Sequence, residues 1–245
     1  SCNDINPKAS SNMTLDTLLL QHNFFQSFHS FASYEETLSF RKSLRSLNLN
    51  DNSISFTAKG VFDGFDSLEE LRLSGNQLHD INKGLYEALP SLQYLSLSRN
   101  AIFTIHSQEF PFVLKKLRIL NLQHNPLNLQ VSDLNQLTNI ESLSLSRFWG
   151  SDFGSPIQNI STLKELYIED HDGLREQSPI IPYNSFMGLE NLEVLSLTDF
   201  GIKEIREENF AGLYSLKYLL LGLNEISVIT ATSFPRRLLK NLIYM

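Results

Sequence analysis

Leucine returns in this chain on a frame about 24 residues long. The stretch LEELRLSGNQLHDI runs from Leu68 to Ile81, LQYLSLSRNAIFTI begins at Leu92, and LRSLNLNDNSI begins at Leu44. Within one unit the leucines fall at spacings of three, two and five, which fit neither the period of a helix nor that of a half-buried strand for long. Self-similarity at such a distance defines an array of units. None of them buries its apolar face alone, so each must stack on a neighbour.

Anchored on the first leucine of each frame, the units start at Leu15, Leu44, Leu68, Leu92, Leu117, Ile140, Leu163, Leu192 and Leu216, and a truncated tenth starts at Leu242. We therefore expect residues 1–245 to form one elongated domain. The frame L-x-x-L-x-L-x-x-N-x-L resembles that of leucine-rich repeats over nearly the whole chain. The resemblance implies an α/β-type solenoid: a horseshoe of mostly short parallel β-strands with an irregular convex side.

In such a repeat the L-x-x-L-x-L segment carries the strand. Alternation sends Leu71 and Leu73 inward and leaves Glu70, Arg72 and Ser74 facing out. Over the chain the outward positions read Ser46, Asn48, Glu70, Arg72, Tyr94, Ser96, Asn121, Ser144, Glu165, Tyr167, Glu169, Ser196, Thr198 and Tyr218. A second apolar column, Phe62, Tyr86, Phe110, Leu134, Ile157, Phe186, Phe210 and Phe234, falls on the return half of each unit. Its strict periodicity marks it as core packing rather than a ligand box.

Asparagine stands eight residues after the anchor at Asn23, Asn52, Asn76, Asn100, Asn125 and Asn224. An inward amide there is expected to bond backbone groups that the turns leave unpaired. Phe148, His171 and Phe200 interrupt this ladder. A phenylalanine cannot donate, so an unsatisfied group or a change of curvature is expected where they stand. Next to the break the unit from Leu163 is 29 residues long and holds an extra loop, HDGLREQSPIIPYN. Drift in a tolerant scaffold and a recognition surface both remain open there.

The formal charge is −7, so there is no general basic field for nucleic acid. Arg41, Lys42 and Arg45, and separately Arg236, Arg237 and Lys240, are short clusters that read as solvated. No run of about eighteen apolar residues exists, so membrane attachment would need a segment outside this chain. SCNDINPKAS lacks an initiator methionine and a signal-peptide core, and is expected to open a mature or excised segment. The lone Cys2 would pair outside it.

Metalloprotease, nucleophile-elbow, phosphate-loop and paired-cysteine motifs do not occur, so neither an enzyme nor a cofactor is expected. Glu169, Asp170, His171, Asp172 and Glu176 offer hard oxygens to calcium, yet they lack a full binding loop and read as a solvated acidic turn. His22 and His124 share one slot as Leu-Gln-His-Asn; they are either surface histidines or sensors of acidic pH.

The asparagine ladder and I-x-x-x-x-F-x-x-L, as in IREENFAGL from Ile205 to Leu213, resemble the animal extracellular class. The irregular centre and long insertion look most like Toll and Toll-like receptor ectodomains. That resemblance implies a cell-surface, extracellular or endosomal-lumen protein that binds a ligand on its arc and forms a receptor homodimer, with a protein ligand ahead of lipid or nucleic acid. The absence of the family's cysteine-rich caps is expected of a fragment. An adhesion or matrix protein is the alternative. Two sequons, at Asn12 and Asn159, are candidate glycosylation sites. Tyrosine and arginine are enriched at binding hot spots. The candidate ligand-binding residues are accordingly Arg72, Tyr94 and Arg99 in the N-terminal half, and Glu165, Tyr167, Glu169, Asp170 and Asp199 around the ladder break.

Overall fold

The structure is a computed structural model, and it describes residues 14–26, 39–57, 60–81, 88–104, 115–128, 137–146, 160–169, 181, 183–230, 232–234 and 236–244. Among them are nine strands: β1 (Thr17–Leu19), β2 (Ser46–Asn48), β3 (Glu70–Arg72), β4 (Tyr94–Ser96), β5 (Ile119–Leu122), β6 (Ser142–Ser146), β7 (Glu165–Glu169), β8 (Val194–Ser196) and β9 (Tyr218–Leu220). They form a single parallel sheet in sequence order, with each leucine beside the equivalent leucine of the next unit: Leu47, Leu71 and Leu95 are register partners. The one described α-helix, α1 (Arg236–Asn241), is short. This is the expected leucine-rich-repeat horseshoe.

Alternation decides burial. Leu71 and Leu73 are fully buried while Glu70 and Arg72 are half-buried. Leu44, Leu68, Ile140, Leu163, Leu192 and Leu216 are equally inaccessible. Each such leucine contributes roughly 1.5–3 kcal/mol, but only because the adjacent coil covers it. On the return side Phe210 stacks between Phe186 at 6.4 Å and Phe234 at 5.9 Å, forming a run of aromatic rings through three coils. Asn209, beside Phe210, donates its amide to the Ile181 carbonyl at 2.7 Å and accepts from the Arg206 N–H at 2.7 Å. Tyr86, Phe110, Leu134 and Ile157 of the same column lie outside the described residues.

The ladder works as the chemistry of an amide requires. Asn76 Nδ2 donates to the carbonyls of Leu49 and Leu73, each at 3.0 Å, and its Oδ1 accepts from the Ile54 N–H at 3.0 Å. One side chain thus fastens two coils. Asn52, Asn100, Asn125 and Asn224 repeat the arrangement, whereas among the described residues Asn23 bonds carbonyls of its own coil, Leu20 and Gln21.

Phe148 and His171 lie outside the described residues, but Phe200 does not. Its ring is fully buried, its N–H donates to Asn224 Oδ1 at 3.1 Å, and the Leu197 carbonyl accepts from Asn224 Nδ2 at 2.8 Å. The asparagine of the next coil satisfies the backbone there. The Leu197 carbonyl, which an amide at position 200 would have bonded, is therefore satisfied from the next coil.

Two further rows follow the same 24-residue logic. The residue before each asparagine of the ladder, and before Phe200 in the same slot, adopts a left-handed turn: His22, Asp51, Gly75, Arg99, His124, Asp199 and Leu223 have φ between 53° and 68°. Only one of them is glycine. At the N-terminal edge of the sheet Asn139 donates to the Lys115 carbonyl at 2.7 Å, Asn191 to that of Ser161 at 2.9 Å, and Asn241 to that of Tyr214 at 2.6 Å. They make a second, outer amide ladder.

Candidate functional site

The outward side chains of the sheet fall into rows fixed by the register. The first row reads Ser46, Glu70, Tyr94, Ile119, Ser142, Glu165, Val194 and Tyr218. The second reads Asn48, Arg72, Ser96, Asn121, Ser144, Tyr167, Ser196 and Leu220, of which Ser96 and Ser196 are buried between their neighbours rather than presented to solvent. In the first row the order serine, glutamate and two large apolar groups occurs twice, four strands apart.

The N-terminal half of the face is internally wired. Ser46 Oγ donates to Glu70 Oε2 at 2.6 Å, and Arg72 donates Nε to Glu70 Oε1 at 2.7 Å with Nη2 at 2.5 Å from the same oxygen. So held, the Arg72 guanidinium lies 5.0 Å from the centre of the Tyr94 ring, within range of a cation–π interaction. Burial opposes the Glu70 charge, but the hydrogen bonds from Ser46 and Arg72, together with the guanidinium's charge, outweigh it and hold the carboxyl below its usual range. Ile119, the next residue in the row, is exposed. Of the expected trio, Arg72 and Tyr94 are brought together. Arg99 stands apart from them in the left-handed turn after β4, its N–H donating to the Gln123 carbonyl at 2.9 Å.

In the second half Glu165, Tyr167 and Glu169 occupy successive outward positions of β7. Ser142 Oγ donates to Glu165 Oε2 at 2.9 Å, the same serine-to-glutamate bond as between Ser46 and Glu70. Burial raises the Tyr167 hydroxyl above its ordinary range, and the neighbouring charges of Glu165 and Glu169 add to it. At neutral pH the phenol is therefore a neutral donor between two carboxylates. Asp199 lies in the left-handed turn after β8, and its N–H donates to the Gly222 carbonyl at 2.9 Å. Asp170, the sequon asparagines Asn12 and Asn159, and the acidic residues beyond Glu169 that offer oxygens to calcium lie outside the described residues.

The outward list drawn from sequence favoured polar types and so passed over Ile119, Val194, Leu19 and Leu220. Position alone would have found them, because each occupies the same place in the frame as Tyr94 or Arg72. Another row also went unread, that of the residue just after each anchor: Asp16, Arg45, Glu69, Gln93, Arg118, Glu141, Lys164, Glu193 and Lys217. It alternates in sign apart from Gln93. Its ion pairs include Arg45 with Asp16 and with Glu69 at 3.5 Å, Arg118 with Glu141 at 3.2 Å, Lys164 with Glu141 at 2.9 Å, and Lys217 with Glu193 at 2.8 Å.

The leucine rich repeat family model matches residues 13–78, 42–102, 66–127 and 190–242, together more than half of the chain. The chain belongs to the leucine-rich repeat family. This leucine-rich repeat chain is similar to a chain of the octameric complex of latrophilin 3, Unc5D and FLRT2 (LRR), with 27% identity and a TM-score of 0.69 over 87% of this chain and 63% of that one. Internalin C2 from Listeria monocytogenes gives 26% and 0.61 over 84% of this chain and 80% of that one. A chain of the TLR13–ssRNA13 complex shares the fold at 23% identity, with a TM-score of 0.66 over 94% of this chain; the match spans only 36% of that chain's length. No curated protein matches the sequence. Solved neighbours thus include animal receptor complexes and bacterial proteins alike, united by a protein-interaction fold.

Proposed function

We propose that this chain is the ligand-recognition module of a Toll-like receptor, innate immune or developmental, and that it takes a protein ligand on the inner face of its arc. The observation that carries this reading is the Arg72–Tyr94 stack braced by Glu70, with Ile119 exposed beside it. A guanidinium and an aromatic ring held in one geometry, next to an accessible aliphatic group, match the composition of protein hot spots and lose little entropy on binding. Val194 and Tyr218 repeat the apolar part of the pattern four strands on, roughly 19 Å away at ~4.8 Å per strand. An elongated ligand can meet both.

The charges favour protein over nucleic acid. On the described strand positions facing outward, Glu70, Glu165 and Glu169 stand against Arg72 alone, a field that repels phosphate. The TLR13 chain is in complex with ssRNA, but at this identity only its fold is comparable. In this reading residues 1–245 form one domain of nine repeats with the start of a tenth. It stands in an extracellular or endosomal space, carries N-linked sugars at Asn12 and Asn159, and pairs with a second copy of itself. Arg99, Asp170 and Asp199 are proposed as rim contacts around the two patches.

The likeness to the FLRT2 complex supports a second reading, an adhesion or matrix protein of the same fold without immune signalling. An array of secreted proteins and receptor ectodomains, probed with the wild-type chain and with Arg72→Ala/Tyr94→Ala, tests the shared claim. A partner held by the first and released by the second is the expected result. Partners held equally by both would refute the inner-face assignment. Whether a Toll-like signalling domain is encoded downstream separates the two readings.

A further inference from the structure

Beyond the inner face, a groove of about 810 Å³ lies at the N-terminal edge of the sheet, built by polar residues that precede β4 to β9. Lys115, Lys116, Arg118 and Lys164 line it together with Asn139 and Asn191. Its anions do not balance its cations. Glu141 is shared by Arg118 and Lys164, and Glu193 is taken by Lys217 at 2.8 Å. Lys115 and Lys116 are exposed and have no carboxylate partner among the described residues. This is a local positive excess on a chain whose net charge is −7.

We propose that this edge groove binds an extended polyanionic polysaccharide, with its sulfate or carboxylate groups set between the four cations. The proposal is independent of the inner-face reading. Arg118 precedes β5 and Lys164 precedes β7, so the charges are spread over about 10 Å at ~4.8 Å per strand, a match for a chain of anions rather than one ion. Among the described residues no aromatic or apolar side chain lines the groove, so they offer neither a stacking platform for bases nor an anchor pocket for a protein hot spot. The amides of Asn139 and Asn191 donate to backbone carbonyls, and that fixes them with their oxygens left to accept from sugar hydroxyls.

The test is calorimetry of the full chain, with any N-linked sugar enzymatically removed, against a heparin-derived oligosaccharide. Its desulfated form, inorganic sulfate and a single-stranded oligonucleotide of matched charge serve as comparisons. The sulfated oligosaccharide should bind most tightly, and Lys115→Ala/Lys116→Ala should weaken it by roughly tenfold or more, as expected when two counterion-releasing contacts are lost. Glu141→Gln should tighten binding, a gain that misfolding cannot mimic. Arg236→Ala/Arg237→Ala, in the other basic cluster, should leave it unchanged. No binding, equal or tighter binding of inorganic sulfate or the oligonucleotide, or affinity that survives loss of both lysines would overturn the proposal.

Discussion

The Arg72 guanidinium lies 5.0 Å from the centre of the Tyr94 ring across two neighbouring strands, and Glu70 grips it from its own strand through both Nε and Nη2. Each partner restrains the next, so removing the carboxylate should release the arginine. Glu70→Gln should weaken partner binding by about 1–2 kcal/mol, less than the 2 kcal/mol or more expected for Tyr94→Ala at a hot spot. Titration of both variants against one partner checks the order; a larger loss for Glu70→Gln would contradict it.

The same carboxyl sets a pH dependence. Its folded pKa is held below the unfolded value of about 4.3, so its contribution to stability is present above that value and fades as pH falls through the folded pKa. Thermal unfolding of wild type and Glu70→Gln, followed from pH 6 to pH 3, should show the stability gap shrinking toward the acid end. A gap independent of pH would mean that the ionised carboxylate is not what stabilises.

The asparagine ladder predicts a loss that two coils share. Asn76→Ala leaves the Leu49 and Leu73 carbonyls and the Ile54 N–H without these partners in a buried place, at a cost of about 1–3 kcal/mol. Hydrogen exchange should report it as faster opening at Ile54, in the coil before the mutated one.

The left-handed turns predict opposite signs at one slot. Gly75→Ala places a Cβ against the Asp51 carboxylate at φ +68° and should destabilise, whereas Arg99→Gly should relieve roughly 1 kcal/mol of backbone strain. If Arg99→Gly is neutral for binding as well, the residue belongs to the turn and not to the ligand site.

These rows show what a one-dimensional reading captures. Leu71 and Asn76 were legible because their chemistry repeats with their position. The turn slot was hidden because His22, Asp51, Arg99 and Leu223 share a backbone angle and no side-chain property. Ile119 was missed because an apolar type was assumed to be core, although its register partners Tyr94 and Ser142 face out. The charge row was present in the sequence, but its alternation appears only when single positions are followed from coil to coil. At Phe200, satisfaction of the backbone by Asn224 depends on the neighbouring coil and could not be read from the slot itself.

That charge row makes a prediction of its own. Glu141 stands between Arg118 and Lys164, and Glu141→Lys would put three cations in succession at the price of roughly 1 kcal/mol, since exposed pairs are individually weak. Raising the salt concentration should recover most of the loss. A deficit insensitive to salt would point to packing instead.

Recognition by the inner face is tested most directly by hydroxyl-radical footprinting of the chain with and without a partner found on the array. The account predicts that oxidation falls at Tyr94 and Tyr167 on the strands and stays unchanged at Tyr183, Met187 and Tyr214 in the connecting segments, all three of which are exposed. Protection of the connecting residues with the strand tyrosines still reactive would contradict it.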